Sequence, residues 1–187
     1  WLCFAFFLIS AIALGGIQSF APAALRDLYG VPFTFATACI TAYMLAMAGG
    51  LVAGGFIASY TTHHDRVIAV AFSTSGLFAV LIATSAVPVV LLMAAIAVIG
   101  FGAGIAGPSR DLLVRAASPK NATGRVYGVV YSGLDVGLAF APLMFGALMD
   151  MQEQAWVFIL IGVFQVAALL AAVGVGERAN RRATQPA

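Results

Sequence analysis

The sequence predicts an all-α polytopic membrane protein with six transmembrane helices. Three observations predict it. First, 63% of the 187 residues are hydrophobic and only 9% are charged, with a mean hydropathy of +1.05. A soluble domain needs about 25% charged residues to keep its surface wet. Second, the apolar runs are long and the connections between them short. A hydrocarbon layer about 30 Å thick needs about 20 apolar residues in a helix, whereas a membrane barrel would alternate in segments of about ten. Third, the charges sort by side. Arg66, Arg110, Arg115, Lys120, Arg125, Arg178, Arg181 and Arg182 all follow an even-numbered span or open the next one, and Arg26 alone lies opposite. By the positive-inside rule the second and fourth connections and the C-terminal tail are cytoplasmic. Losing one span would scatter these residues over both faces.

The six spans are expected at about 2–24, 33–59, 67–86, 88–108, 125–149 and 155–175. The first closes at Arg26-Asp27, with turn chemistry in Gly30-Val31-Pro32. The chain opens on Trp1 with no basic leader, so a cleaved signal peptide is not expected and a piece of something longer is. The second span closes before Thr61–Arg66, which holds both histidines, and the third before Ser85-Ala86-Val87-Pro88. The fourth ends at Pro108, and 109–124 is expected to be a cytoplasmic loop. Its start has Asp111 and Arg115 at i,i+4 around Leu112, Leu113 and Val114, a pattern suited to a short amphipathic helix on the membrane surface. The fifth span lies between Arg125 and Asp150, the sixth follows Met151–Ala155, and 176–187 is a basic cytoplasmic tail. Cys3 and Cys39 sit inside apolar runs and read as small core residues, not as a disulfide.

Small residues mark where helices approach closely. Gly50 and Gly54, Gly100 and Gly104, Gly124 and Gly128, and Gly133 and Gly137 all keep GxxxG spacing. Spans three and six have fewer such pairs and more bulky aliphatics, so they are expected outside, facing lipid, with the other four inside. Gly15-Gly16 to Pro22 softens the end of span one, and Gly100 to Pro108 softens the end of span four. If the chain is two inverted three-helix repeats, these ends correspond, which is a pointer to the moving part of a transporter. The alternative is that Gly and Pro are simply common in membrane helices.

Asp135 is the candidate of most chemical interest. At about 1.5 Å per residue it lies roughly 15 Å from Arg125, near the middle of the hydrocarbon layer. A carboxylate there costs on the order of 2.5–3.5 kcal/mol, so it faces protein or a wet cavity. It is either a proton-coupling group or a structural acceptor for hydroxyls. Tyr127 and Tyr131 precede it at steps of four and share its stripe. Gln18, Tyr43, Tyr127 and Tyr131 are candidates for a solute pathway, with packing or interfacial anchoring as the other readings. Gln165 falls in an outer helix and reads as packing. Arg110 and Asp111, just past Pro108, are candidates for a cytoplasmic gate or a solvated loop pair. His63-His64-Asp65 lacks further ligands, so no metal is expected. Nor is there a phosphate-binding loop or a Ser-His-Asp arrangement, so neither an enzyme nor a cofactor is expected.

The stretch GRVYGVVYSGLDVGLAFAPLMFGALMD, Gly124 to Asp150, together with GPSRDLLVRAASP before it, resembles the C-terminal half of a major facilitator superfamily transporter, helices seven to twelve. The family's Gly-x3-Asp-Arg-x-Gly-Arg-Arg loop is matched only in part. Gly55 fits, but Ser59 and Tyr60 stand where Asp and Arg would be, and Asp65-Arg66 come later. Gly137, Pro142 and Gly146 echo the Gly-Pro kink motif of antiporters. The resemblance implies secondary active transport by alternating access, with two six-helix halves rocking about a midplane site. The expected cargo is a small organic solute coupled to protons, in a cell (inner or plasma) membrane. The expected partners are the lipid bilayer, the solute, protons, and a missing N-terminal half or a second copy; nucleic acid is not among them. The alternative is a six-helix membrane protein without transport, such as an assembly subunit or an intramembrane enzyme.

Overall fold

A computed structural model describes residues 2–117 and 123–183. They form six helices: α1 Leu2–Tyr29, α2 Phe33–Tyr60, α3 His64–Ala83, α4 Val89–Ala117, α5 Thr123–Asp150 and α6 Gln154–Ala183. All six are long and apolar enough to cross a membrane. The protein is an all-α, multi-pass membrane protein.

Several helices outrun their apolar spans, because hydropathy marks the part suited to hydrocarbon and not the end of the hydrogen-bonded ladder. α1 continues through Arg26-Asp27 to Tyr29. It stops where Gly30 takes the left-handed conformation (φ +64°) and its N–H donates to the Arg26 carbonyl at 2.9 Å. That is the usual glycine end of a helix. α4 differs most. Residues 109–124 were expected to form a loop, yet α4 runs through Pro108 to Ala117. Proline removes one intrahelical bond, a loss that flanking helices make tolerable inside a membrane. The amphipathic pattern of Asp111 to Arg115 is met by the same helix carrying on. Residues 118–122 of the expected loop lie outside the described residues. α6 likewise extends to Ala183, into the expected tail.

In a bilayer, apolar side chains gain little by leaving lipid for protein, so helices associate through close packing. Glycines supply it here. In the α2–α4 seam, a Cβ at Gly50 would strike the Phe101 carbonyl, and one at Gly54 would lie 2.6 Å from the Ile105 carbonyl. Reciprocally, Gly100 lies against the Tyr43 carbonyl and Gly104 against the Met47 carbonyl. Residue numbers rise together along this seam, so α2 and α4 run parallel. The α1–α5 seam is parallel too. Gly133 and Gly137 sit against the carbonyls of Phe4 (2.9 Å from an added Cβ) and Leu8, while Gly15 and Gly16 meet Ala141 and Phe145. Gly76 and Gly162 bring α3 and α6 together, a glycine contact not expected of two bulky outer helices. Gly124 and Gly128 share the GxxxG spacing but meet nothing within 4 Å among the described residues.

α1 packs on α5 and α6, α4 packs on α2 and α3, and α3 packs on α6. Exchanging α1 with α4, α2 with α5 and α3 with α6 turns this set of pairings into itself, as two inverted three-helix units would. The α2 and α5 spans are the least covered: 22% of their residues are buried, against 44% in α1, α3 and α4. At the far end of the bundle, the Tyr29 hydroxyl donates to the Ile82 carbonyl at 2.9 Å and ties α1 to α3.

Candidate functional site

Two neighbouring features form the candidate site. The first joins α4 to α5. Because α4 is continuous past Pro108, Arg110 and Asp111 stand on its last two turns and not on a loop. Arg110 Nε donates to Asp111 Oδ1 at 3.1 Å, and its guanidinium carbon lies 4.5 Å from the centre of the Phe7 ring on α1. From α5, the Tyr131 hydroxyl donates to Asp111 Oδ1 at 3.4 Å and the Tyr127 hydroxyl to the Asp111 carbonyl at 3.3 Å. The two tyrosine rings stack 5.8 Å apart, and Phe7 lies 5.1 Å from the Tyr131 ring. Each link is weak. The two tyrosine hydrogen bonds are longer than the usual O–H···O range of about 2.5–3.0 Å. The ion pair, 25% and 44% exposed, is worth about 0–1 kcal/mol. The cluster therefore clasps α4 to α5 in a way that small forces can undo.

The second feature is a crevice of about 60 Å³ reaching inward from Arg110, lined among others by Ser10, Ile17, Tyr43, Phe72 and Gln165. Five helices contribute to it. Gln165 is only 7% exposed, yet its Oε1 has no hydrogen-bond partner among the described residues, and neither does Ser10 Oγ. A buried polar atom left in that condition costs about 1–3 kcal/mol. Met47 and Leu14 make the wall beside them apolar.

The residues singled out in the sequence do not all meet. Tyr43 is buried and lines the crevice with Arg110. Tyr127, Tyr131, Arg110 and Asp111 form the clasp. Gln18 is half-buried and stands outside the crevice lining. Asp135 is exposed, on a face of α5 that no other described helix covers. The helical pitch explains this. Steps of four overshoot a full turn by about 40°, so Asp135 is turned roughly 80° from Tyr127. It also lies two residues from both Gly133 and Gly137, which face α1, so it points to the other side. Pro142 lies inside α5 and is exposed on its surface.

Gln165 reads in the sequence as packing in an outer helix, and Ser10 is not among the sequence candidates. An amide in mid-helix among Phe164, Val166 and Ala167 is costly in an apolar setting and was the available signal. Ser10 carried none, because a lone serine is ordinary in a membrane helix.

A family model described as Major Facilitator Superfamily matches residues 2–187. The chain belongs to the Major Facilitator Superfamily. None of the curated proteins compared with it matches. As a major facilitator protein it is a membrane transporter by family, a class of transporters and not of enzymes. Its crevice and clasp therefore belong to a transport scaffold.

Proposed function

We propose that this major facilitator chain is one six-helix half, corresponding to helices seven to twelve, of a proton-coupled secondary transporter for a small organic solute. The other half is either a preceding six-helix segment or a second copy. The observation that carries this reading is the uncovered face of α5 with Asp135 on it, matched by the equally uncovered α2. A mid-helix carboxylate against lipid would cost on the order of 2.5–3.5 kcal/mol. A second body that covers these faces and leaves a wet crevice between removes that cost and gives Asp135 a proton path. Tyr43, Gln18, Tyr127 and Tyr131 then border the solute route, and the Arg110–Asp111 clasp gates one mouth. The arginine distribution favours a cell membrane with the C-terminus and the clasp on the cytoplasmic side.

The test uses the full-length transporter in proteoliposomes. Asp135→Asn is expected to fold, elute and unfold thermally like the parent while losing solute movement driven by a pH gradient. Undiminished coupling in that variant would end the proton-path assignment.

A further inference from the structure

We infer that the chain has a second arrangement, in which α1 turns against α6 and the Ser10 hydroxyl donates to Gln165 Oε1, latching the α1–α5 pair in its new place. This deepens the alternating-access reading and rests on it. The glycine contacts show which helices move together. Gly133 and Gly137 press α5 onto the carbonyls of Phe4 and Leu8 in α1, so those two helices form one body. The other four form a second. α2 and α4 meet through their four glycines. An added Cβ would lie 2.9 Å from the Ala71 carbonyl of α3 at Gly102 of α4, and 3.1 Å from the Gly76 carbonyl of α3 at Gly162 of α6. Between the two bodies no described glycine rests on a carbonyl. Gly174 of α6 meets only the end of the Leu2 side chain, at 3.8 Å from an added Cβ, and Phe6 and Phe7 of α1 share an apolar cluster of side chains with Ala168 and Ala172 of α6. Side chains slip past one another where backbones pressed together cannot.

Ser10 and Gln165 stand at the same height on either side of that boundary. The first and sixth crossings run in opposite directions, with Leu2 level with Gly174. Ser10 lies about 12 Å along α1 from Leu2, and Gln165 about 13.5 Å back along α6 from Gly174. Both residues border the same crevice, yet Ser10 Oγ and Gln165 Oε1 have no surface open to it and no hydrogen-bond partner among the described residues. Water and solute are shut out from both atoms. Each is the complement of the other, a hydroxyl donor and an amide acceptor, so a turn of α1 satisfies the two at once. The crevice of about 60 Å³ gives their side chains room. The Tyr29–Ile82 hydrogen bond, about 28 Å along α1 from Ser10, is the hinge, and Pro22 between them leaves the α1 ladder one bond short. α5 moves with α1, which draws Tyr127 and Tyr131 away from Asp111 against their two long bonds. The second arrangement therefore has α4 and α5 further apart.

The experiment is a spin-label distance measurement on the full-length protein in lipid nanodiscs, without solute or pH gradient. Labels are carried at Arg115→Cys on α4 and Gly124→Cys on α5, both exposed, with Cys3 and Cys39 replaced by alanine. Two distances are expected. Ser10→Ala and Gln165→Leu should each lower the ratio of the longer to the shorter by about tenfold, the scale of one hydrogen bond between buried groups. The double variant should lower it by the same factor and not by about a hundredfold, because both changes remove one bond. Ser10→Thr keeps the hydroxyl and should stay within about twofold of the parent. Tyr131→Phe weakens the opposing clasp and should raise the ratio by about twofold. Thermal unfolding midpoints check that each variant is folded. Should Gln165→Leu misfold, the contrast between Ser10→Ala and Ser10→Thr still decides.

A single distance in the parent, an unchanged ratio in Ser10→Ala, additive losses in the double variant, or a Ser10→Thr that behaves like Ser10→Ala would each overturn the latch. Additive losses are what two independent packing residues would give. The distances are read without a gradient, so a failure of proton coupling through Asp135 would leave them untouched. Conversely, loss of the latch would leave the Asp135 assignment to its own transport test.

Discussion

The α2–α4 and α1–α5 seams occupy equivalent places in the two halves of the fold but are built differently. α2 and α4 touch backbone to backbone at four glycines. Gly50, Gly54, Gly100 and Gly104 each lie on a carbonyl of the other helix, at Phe101, Ile105, Tyr43 and Met47. The α1–α5 seam is like that only at one end, where Gly133 and Gly137 face Phe4 and Leu8. At the other end Gly16 meets the ring of Phe145, a side chain. A carbonyl inside a helix cannot step aside without moving the helix, whereas a ring can turn. One seam is therefore rigid at its four glycines, and its counterpart has give at the Phe145 end.

Substitutions separate the two. The largest effect is expected from Gly104→Ala. Its Cβ would meet the Met47 carbonyl, with Leu51 N at 2.8 Å, and α2 would have to move away bodily. The loss is expected at the upper end of the overpacking range, about 3 kcal/mol, seen as a lowered thermal midpoint in detergent. Gly16→Ala should cost less, about 1–2 kcal/mol. Adding Phe145→Leu should recover part of it, a rescue with no equivalent at Gly104. Equal losses at the two glycines, or no rescue, would break the comparison.

Smaller still is Tyr131→Phe, which removes one long hydrogen bond and should change stability by about 0.5 kcal/mol. Its measurable consequence lies elsewhere: α4 and α5 should separate more readily, read as a broadened distance between spin labels near Arg115 and Gly124. Gly128→Ala, with open space around it, should be neutral or slightly stabilising, by no more than about 1 kcal/mol. A clear loss there would mean that a partner outside this chain rests on Gly128.

These differences also explain what could be read in the sequence. Composition and charge placement yield six crossings because each follows from the solvent, not from contacts. Glycine spacing finds residues that share a helix face, and Gly50 with Gly54 and Gly100 with Gly104 lie in a real seam. It does not say whether a neighbour is present, which is why Gly124 and Gly128 look alike on paper and stand open in the fold. Pro108 read as an end because proline breaks an isolated helix, but its neighbours carry α4 onward. The Tyr127–Tyr131–Asp135 stripe dissolved for a geometric reason: steps of four drift, and over two steps the drift decides what a side chain faces. Gln165 in the crevice depends on how α6 is rotated against α1 and α3. No local pattern encodes that rotation.

The continuity of α4 has a mechanical corollary. Arg110 and Gly104 are six residues apart on one unbroken rod, about 9 Å along the axis. Beside Arg110, Ser109 is fully buried, and four residues on Val114 is buried in the same apolar cluster as Phe7, Phe72 and Ala168. A force on that guanidinium therefore acts on a rod packed before and after it, to which the tyrosine catch on α5 adds a few weak bonds. A cargo that engaged Arg110 would be pulling the handle of the door it came through.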